Sequence, residues 1–140
     1  MTLRKDRSTV IPALLYRDAP AAIRWLCDVL GFQERAVYRD DQNTVVHAQL
    51  TLGGGMIMLG TVKDTDYGHL VRQPDQIGGL ETQSPYLLVD DVETLYRRVQ
   101  GHGGEIVIEL SAPDYGGLHF TCRDPEGHLW NLGSYDPWVD

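Results

Sequence analysis

The sequence predicts an α+β fold of tandem βαβββ units, and three observations carry that prediction: an internal repeat, one order of elements in both copies, and a long connection between them. Slid by 72 residues, "LLYRDAPAAIRWLCDVLGF" falls on "YLLVDDVETLYRRVQGHGG", so that Asp18 meets Asp90, Gly31 meets Gly103 and His47 meets His119. One residue more in the last turn makes the offset 73 and lays "MLG" at 58–60 on "NLG" at 131–133. The 140 residues form one domain, with modules at about 9–60 and 84–135 joined by a linker at 61–83.

In the first copy "VIPALLY" reads as a strand. Asp18 caps the helix that follows, Pro20 sits in its first turn, and Gly31 lies just past its end. Ile23, Leu26, Cys27 and Leu30 recur at i, i+3, i+4 and i+7, an apolar stripe that accounts for Cys27 as a small buried hydrophobe. The second helix is predicted to start at Asp90, with Glu93 in capping-box spacing and Val92, Leu95 and Val99 as its stripe. Three strands follow each helix: "ERAVYRD", "TVVHAQLTL" and "MIMLG", then "EIVIELS", "LHFTCRD" and "HLWNLG". Alternation turns Ala48, Leu50, Leu52, Phe120 and Cys122 toward the helices, with His47, Gln49, Thr51, His119, Thr121 and Arg123 opposite. Trp130 alternates with Asn131 and is expected in the core.

Composition narrows the function. Hydrophobic residues make up 42% of the chain and the formal net charge is −8, which disfavours nucleic acid and anionic membranes because such contacts need clustered Lys and Arg. No apolar run reaches membrane-spanning length and no apolar signal region follows "MTLRKDRSTV", so a cytoplasmic protein is expected. With two cysteines, Cys27 and Cys122, no disulfide framework is expected. "GGG" at 53–55 precedes a strand and lacks the Lys-Ser/Thr of a phosphate loop, so a hairpin turn explains it.

Paired βαβββ units, each closing on a strand after a glycine turn, together with "DPEGHLW", resemble the vicinal oxygen chelate superfamily of glyoxalase I, extradiol dioxygenases and bleomycin resistance proteins. The resemblance covers about residues 9–135 and implies two mixed sheets curled around a cleft. Metal enzymes of that superfamily carry ligands on the first and last strand of each unit, positions carried over to Pro12, Met58, Ser84 and Asn131. Pro has no side-chain donor, Met is a soft thioether, and Ser and Asn are weak neutral ligands, so neither a metal nor any other cofactor is expected.

The resemblance therefore points to a metal-free protein that binds or sequesters a small, antibiotic-like molecule and forms a homodimer. The alternative is a lyase, isomerase or dioxygenase with a metal displaced to His47 and His119. Two imidazoles with no carboxylate in view suit a polar cavity wall better. Candidate ligand-binding residues are Tyr16, His47, Gln49, Met58, Tyr86, His119, Thr121 and Asn131, with Met56 beside Met58. Tyr16 and Tyr86 are expected on the cleft face of the two first strands, with Pro12 and Ser84. No catalytic residue is assigned. His128 is read as an exposed turn residue, and Trp138 closes a pocket or covers a partner.

Overall fold

Two four-stranded mixed sheets, one in each unit, make up the strands of the computed structural model, which describes residues 6–139. The first unit contains β1 (Ala13–Tyr16), α1 (Ala19–Asp28), β2 (Gln33–Arg39), β3 (Val45–Leu52) and β4 (Gly55–Thr61), with sheet order β1-β4-β3-β2. The second contains β5 (Tyr86–Leu88), α2 (Val92–Gly101), β6 (Glu105–Ser111), β7 (His119–Arg123) and β8 (Leu129–Gly133), with sheet order β5-β8-β7-β6. In each unit the first strand pairs in parallel with the last, and the other pairings are antiparallel. The connecting segment is divided: the first unit ends at Arg72 and the second begins at Gln73.

Both helices follow from local chemistry. Asp18 accepts the Ala21 amide at 3.1 Å, and Ile23, Leu26 and Leu30 bury the expected stripe, joined by Trp25, while Cys27 is only half-buried. The second cap corrects the sequence reading. It is Asp91, not Asp90, and its carboxylate accepts both the amide (3.1 Å) and the hydroxyl (2.7 Å) of Thr94. These bonds hold the Asp91 carboxyl below its usual range. The Asp90–Glu93 capping box is absent because Thr94 at the third helical position supplies two donors to Asp91.

That shift of one residue reaches the strands. Asp18 and Asp91 are 73 residues apart, as are the strand pairs Ala13–Met58 and Tyr86–Asn131. The Met58 amide donates to the Pro12 carbonyl at 2.9 Å and the Asn131 amide to the Pro85 carbonyl at 3.0 Å. Pro12 thus corresponds to Pro85, and Ser84 has Ile11 as its counterpart. A one-residue slip exchanges the faces of a strand. Leu14 and Tyr16 accordingly share the side of Leu59 and Ile57, and Tyr16 is 1% exposed. The expectation that Tyr16 faces a ligand is corrected: it is a core residue. Cys122, Phe120, Trp130 and Leu132 fill the core face of the second sheet, and burial pushes the Cys122 thiol up to about 12, which leaves it inert.

The turn "DPEG" is organised by one carboxylate. Asp124, 4% exposed, accepts the amides of Glu126 (3.0 Å) and His128 (3.1 Å) on one oxygen and the Trp130 indole (3.0 Å) on the other. His128 is not an exposed turn residue: it is buried, with Nδ1 3.0 Å from the Glu81 carboxylate. Arg123 donates to the carbonyls of Gly79 and Gly127, and Gln73 to Glu126, so residues 73–81 are clamped onto this turn. Asp124→Ala strands three donors, two of them buried, and by the usual cost of charged hydrogen bonds should lower unfolding stability by about 2–4 kcal/mol in a urea titration.

Candidate ligand-binding site

Each sheet has one face on its helix and one open face, and the open faces carry the candidate residues. In the first unit the register Ala13–Met58–Gln49–Ala36 forms one row across β1, β4, β3 and β2, and the pair Tyr38–His47 lies beside it, two residues along β2 and β3. A cavity of about 160 Å³ opens there, lined chiefly by Ala13, Leu15, Val46, His47, Met58 and Tyr67. Its wall is mostly apolar, with His47 and Tyr67 as the lining side chains that carry polar atoms. Gln49 Nε2 lies 3.2 Å from His47 Nε2. The Gln49 side-chain amide and the His47 imidazole thus hydrogen-bond to each other along β3, with the roles set by the ring's tautomer. The Tyr38 ring stacks on His47 with centroids 5.9 Å apart and planes at 26°.

The same positions of the second unit hold a closed polar network. The Thr121 hydroxyl donates to Asn131 Oδ1 at 2.8 Å, and Asn131 Nδ2 donates to Ser84 Oγ (2.9 Å) and to the Pro85 carbonyl (3.1 Å). Three strands or strand ends are thereby tied through side chains. Tyr86 stands next to Asn131 in register and its ring covers Gly133, where an added Cβ would lie 2.6 Å from the hydroxyl. That hydroxyl donates to the Tyr135 carbonyl at 2.7 Å, and burial and the neighbouring Tyr115 push its pKa up. His119, half-buried, begins β7 opposite Gly133.

The sequence reading named His47, Gln49 and Met58, which the first sheet brings together, and Tyr86, His119, Thr121 and Asn131, which share the open face of the second. It missed Tyr38, Tyr67, Tyr115 and Tyr135. Tyr38 could have been found as the cross-strand neighbour of His47; the others lie on loops, where no periodicity points to a face.

The donor set does not fit the metal of the superfamily's enzymes. Its four positions are Ile11, Met58, Ser84 and Asn131, with Ile11 replacing the Pro12 expected from sequence. Neither Ile nor Pro can ligate, Asn131 spends both its groups inside the network, and no three His, Cys, Asp or Glu side chains gather to hold an ion among the described residues.

A profile of the Glyoxalase/Bleomycin resistance protein/Dioxygenase superfamily matches residues 10–132. The chain belongs to that superfamily. Over 122 residues it is 27% identical to the uncharacterized protein Mb0911c of Mycobacterium bovis, covering 87% of this chain and 80% of that one. TioX from Micromonospora sp. ML1 superposes with a TM-score of 0.69 at 29% identity, over 90% of this chain and 97% of TioX. The fosfomycin resistance protein FosX from Mesorhizobium loti has the same fold, with a TM-score of 0.65 at 14% identity over 94% of each chain. Among the described residues no helix is long and apolar enough to cross a membrane.

The two last-strand positions should respond differently to an apolar replacement. Asn131→Leu removes the acceptor of buried Thr121 and should cost about 1–3 kcal/mol, whereas Met58→Leu conserves volume and should cost less than about 1.5 kcal/mol. Denaturant unfolding of the two variants measures both.

Proposed function

We propose that this protein binds and sequesters a small organic molecule of antibiotic-like character, without a metal and without breaking a bond in it. The observation that carries the reading is the apolar cavity around Met58, at a position where enzymes of the superfamily hold a metal ligand. The pocket is open on one side, and its volume of about 160 Å³ leaves room for one ring-sized group laid against the wall. The wall suits such a ring: Met58 adapts its shape, Tyr67 offers an aromatic surface, and the His47 imidazole offers a polar contact for an oxygen on the ring.

Magnitudes then constrain the ligand. Burying one ring of about 120 Å² is worth roughly 3 kcal/mol at ~25 cal/mol per Å². A micromolar complex needs about 8 kcal/mol. The ligand therefore extends beyond the cavity, as an elongated molecule with a flat apolar end. Sequestration at micromolar affinity protects a cell when the free protein concentration exceeds both the drug's and the Kd, with no turnover required.

Calorimetric titration against a panel of planar, polycyclic antibiotics tests this. At least one should bind at micromolar Kd and be recovered chemically unchanged, and Met58→Lys, which places an ammonium in the apolar wall, should weaken that binding at least about tenfold. Conversion of the ligand during incubation, or indifference of its affinity to Met58→Lys, would overturn the reading.

A further inference from the structure

The second unit carries three tyrosine rings that its core does not need. Tyr115 is 60% exposed, Tyr86 38% and Tyr135 36%, yet all three are held firmly. Tyr115 and Tyr135 meet edge to face, with centroids 4.9 Å apart and planes at 68°, and the Tyr86 hydroxyl is fastened to the Tyr135 backbone. Glycine makes the assembly possible at two points. Gly133 leaves the space that the Tyr86 ring occupies. Gly117, at φ +74°, lets the loop bearing Tyr115 lie directly on residues 134–135: a Cβ there would fall 2.7 Å from Ser134 Oγ and 2.8 Å from the Tyr135 amide. Two hydrogen bonds close this contact, Leu118 amide to Ser134 Oγ at 2.9 Å and Ser134 amide to the Leu118 carbonyl at 3.0 Å. Half-exposed rings fixed in this way are a preorganised surface, with little side-chain entropy left to lose on binding.

The electrostatics of the surface are one-sided. Aromatic faces present negative quadrupole potential. Asp136 follows Tyr135 in the chain; its carboxylate accepts the Trp138 amide at 2.9 Å, and its charge adds to the upward shift of the Tyr86 hydroxyl that burial begins. Asp114 precedes Tyr115 in the same loop, and the whole chain has a formal net charge of −8. Neutral aromatic ligands would gain nothing from the carboxylate, and anions would be repelled.

We infer that Tyr86, Tyr115 and Tyr135, with Asp136 at their side, form a subsite for an organic cation, a quaternary or protonated alkylammonium group. This rests on the ligand-binding reading above and adds a chemical class for the second unit: what it binds bears a positive nitrogen. Electron-rich rings attract such a cation over their faces, and its alkyl groups cover apolar ring surface at the same time.

Choline and 3,3-dimethylbutan-1-ol share one shape and differ by the charge, which makes them the probes. Titrated into the full chain and followed by the ring NMR signals of the tyrosines, choline should bind saturably in the millimolar range and roughly 5- to 30-fold more tightly than the neutral alcohol. Tyr115→Leu should bring choline down to the level of the alcohol, Tyr115→Phe should retain most of the difference, and Asp136→Asn should reduce it and its salt dependence. Equal affinity for the two probes, or choline binding unaltered by Tyr115→Leu with folded spectra, would overturn the inference. The outcome is separate from that of the antibiotic panel: neutral planar ligands that bind in the Met58 cavity while choline fails leave sequestration standing and remove the cation subsite, and the converse result does the reverse.

Discussion

One backbone hydrogen bond in each unit decides which side chains can meet a ligand. It runs from the amide in the middle of the last strand, Met58 or Asn131, to the carbonyl of the proline that enters the first, Pro12 or Pro85. Proline has no N–H to offer a neighbour, so at that point the parallel ladder can only be anchored through its carbonyl. Once this register is set, strict alternation assigns every other residue. Ala13 and Tyr86 go to the open faces beside Met58 and Asn131, and Tyr16 goes to the core. A slip of one residue would place Tyr16 on the open face and move Leu15 inward.

On this common backbone the two units have diverged in side-chain chemistry. Where the superfamily's enzymes hold a metal, the first unit has the isoleucine Ile11 and the thioether of Met58, which lines an apolar pocket, and the second has a hydrogen-bonded tie of Ser84, Asn131 and Thr121. The tie links β7 and β8 to the start of β5, the crosslinking that a metal would otherwise give. It is neutral and internally satisfied, so it supplies rigidity without Lewis acidity. Cavity, stacked Tyr38–His47 pair and fixed tyrosines all favour adhesion to an organic molecule over polarisation of its oxygens.

Much of this was legible in the sequence. The repeat, both helical stripes, the helix-ward placement of Ala48, Leu50, Phe120, Cys122 and Trp130, and the grouping of His47 with Gln49 follow from periods of 3.6 and 2. The miss at Tyr16 and the miss at Asp90 share a cause. Strands β2 and β6 stand 72 residues apart but the helices and first strands 73, so a single offset of 72 lays Asp18 on Asp90 and moves the first-strand alignment by one residue. Thr94, which gives both its amide and its hydroxyl to Asp91, is the feature that should have tipped the choice. His128 was misread because its partner Glu81 lies 47 residues away in a segment without periodicity. The tyrosine cluster was invisible for the same reason: it is assembled by loop contacts that glycines permit, and no pattern along the chain encodes those.

In the proposed function, ligand affinity comes from the open faces and owes nothing to a metal. This is tested most directly by titrating one planar antibiotic into the protein twice, once after exhaustive chelation and once with a divalent cation added back. Equal Kd values in the two titrations are the predicted result. Loss of binding on chelation that Zn, Ni, Mn or Fe restores would contradict the account.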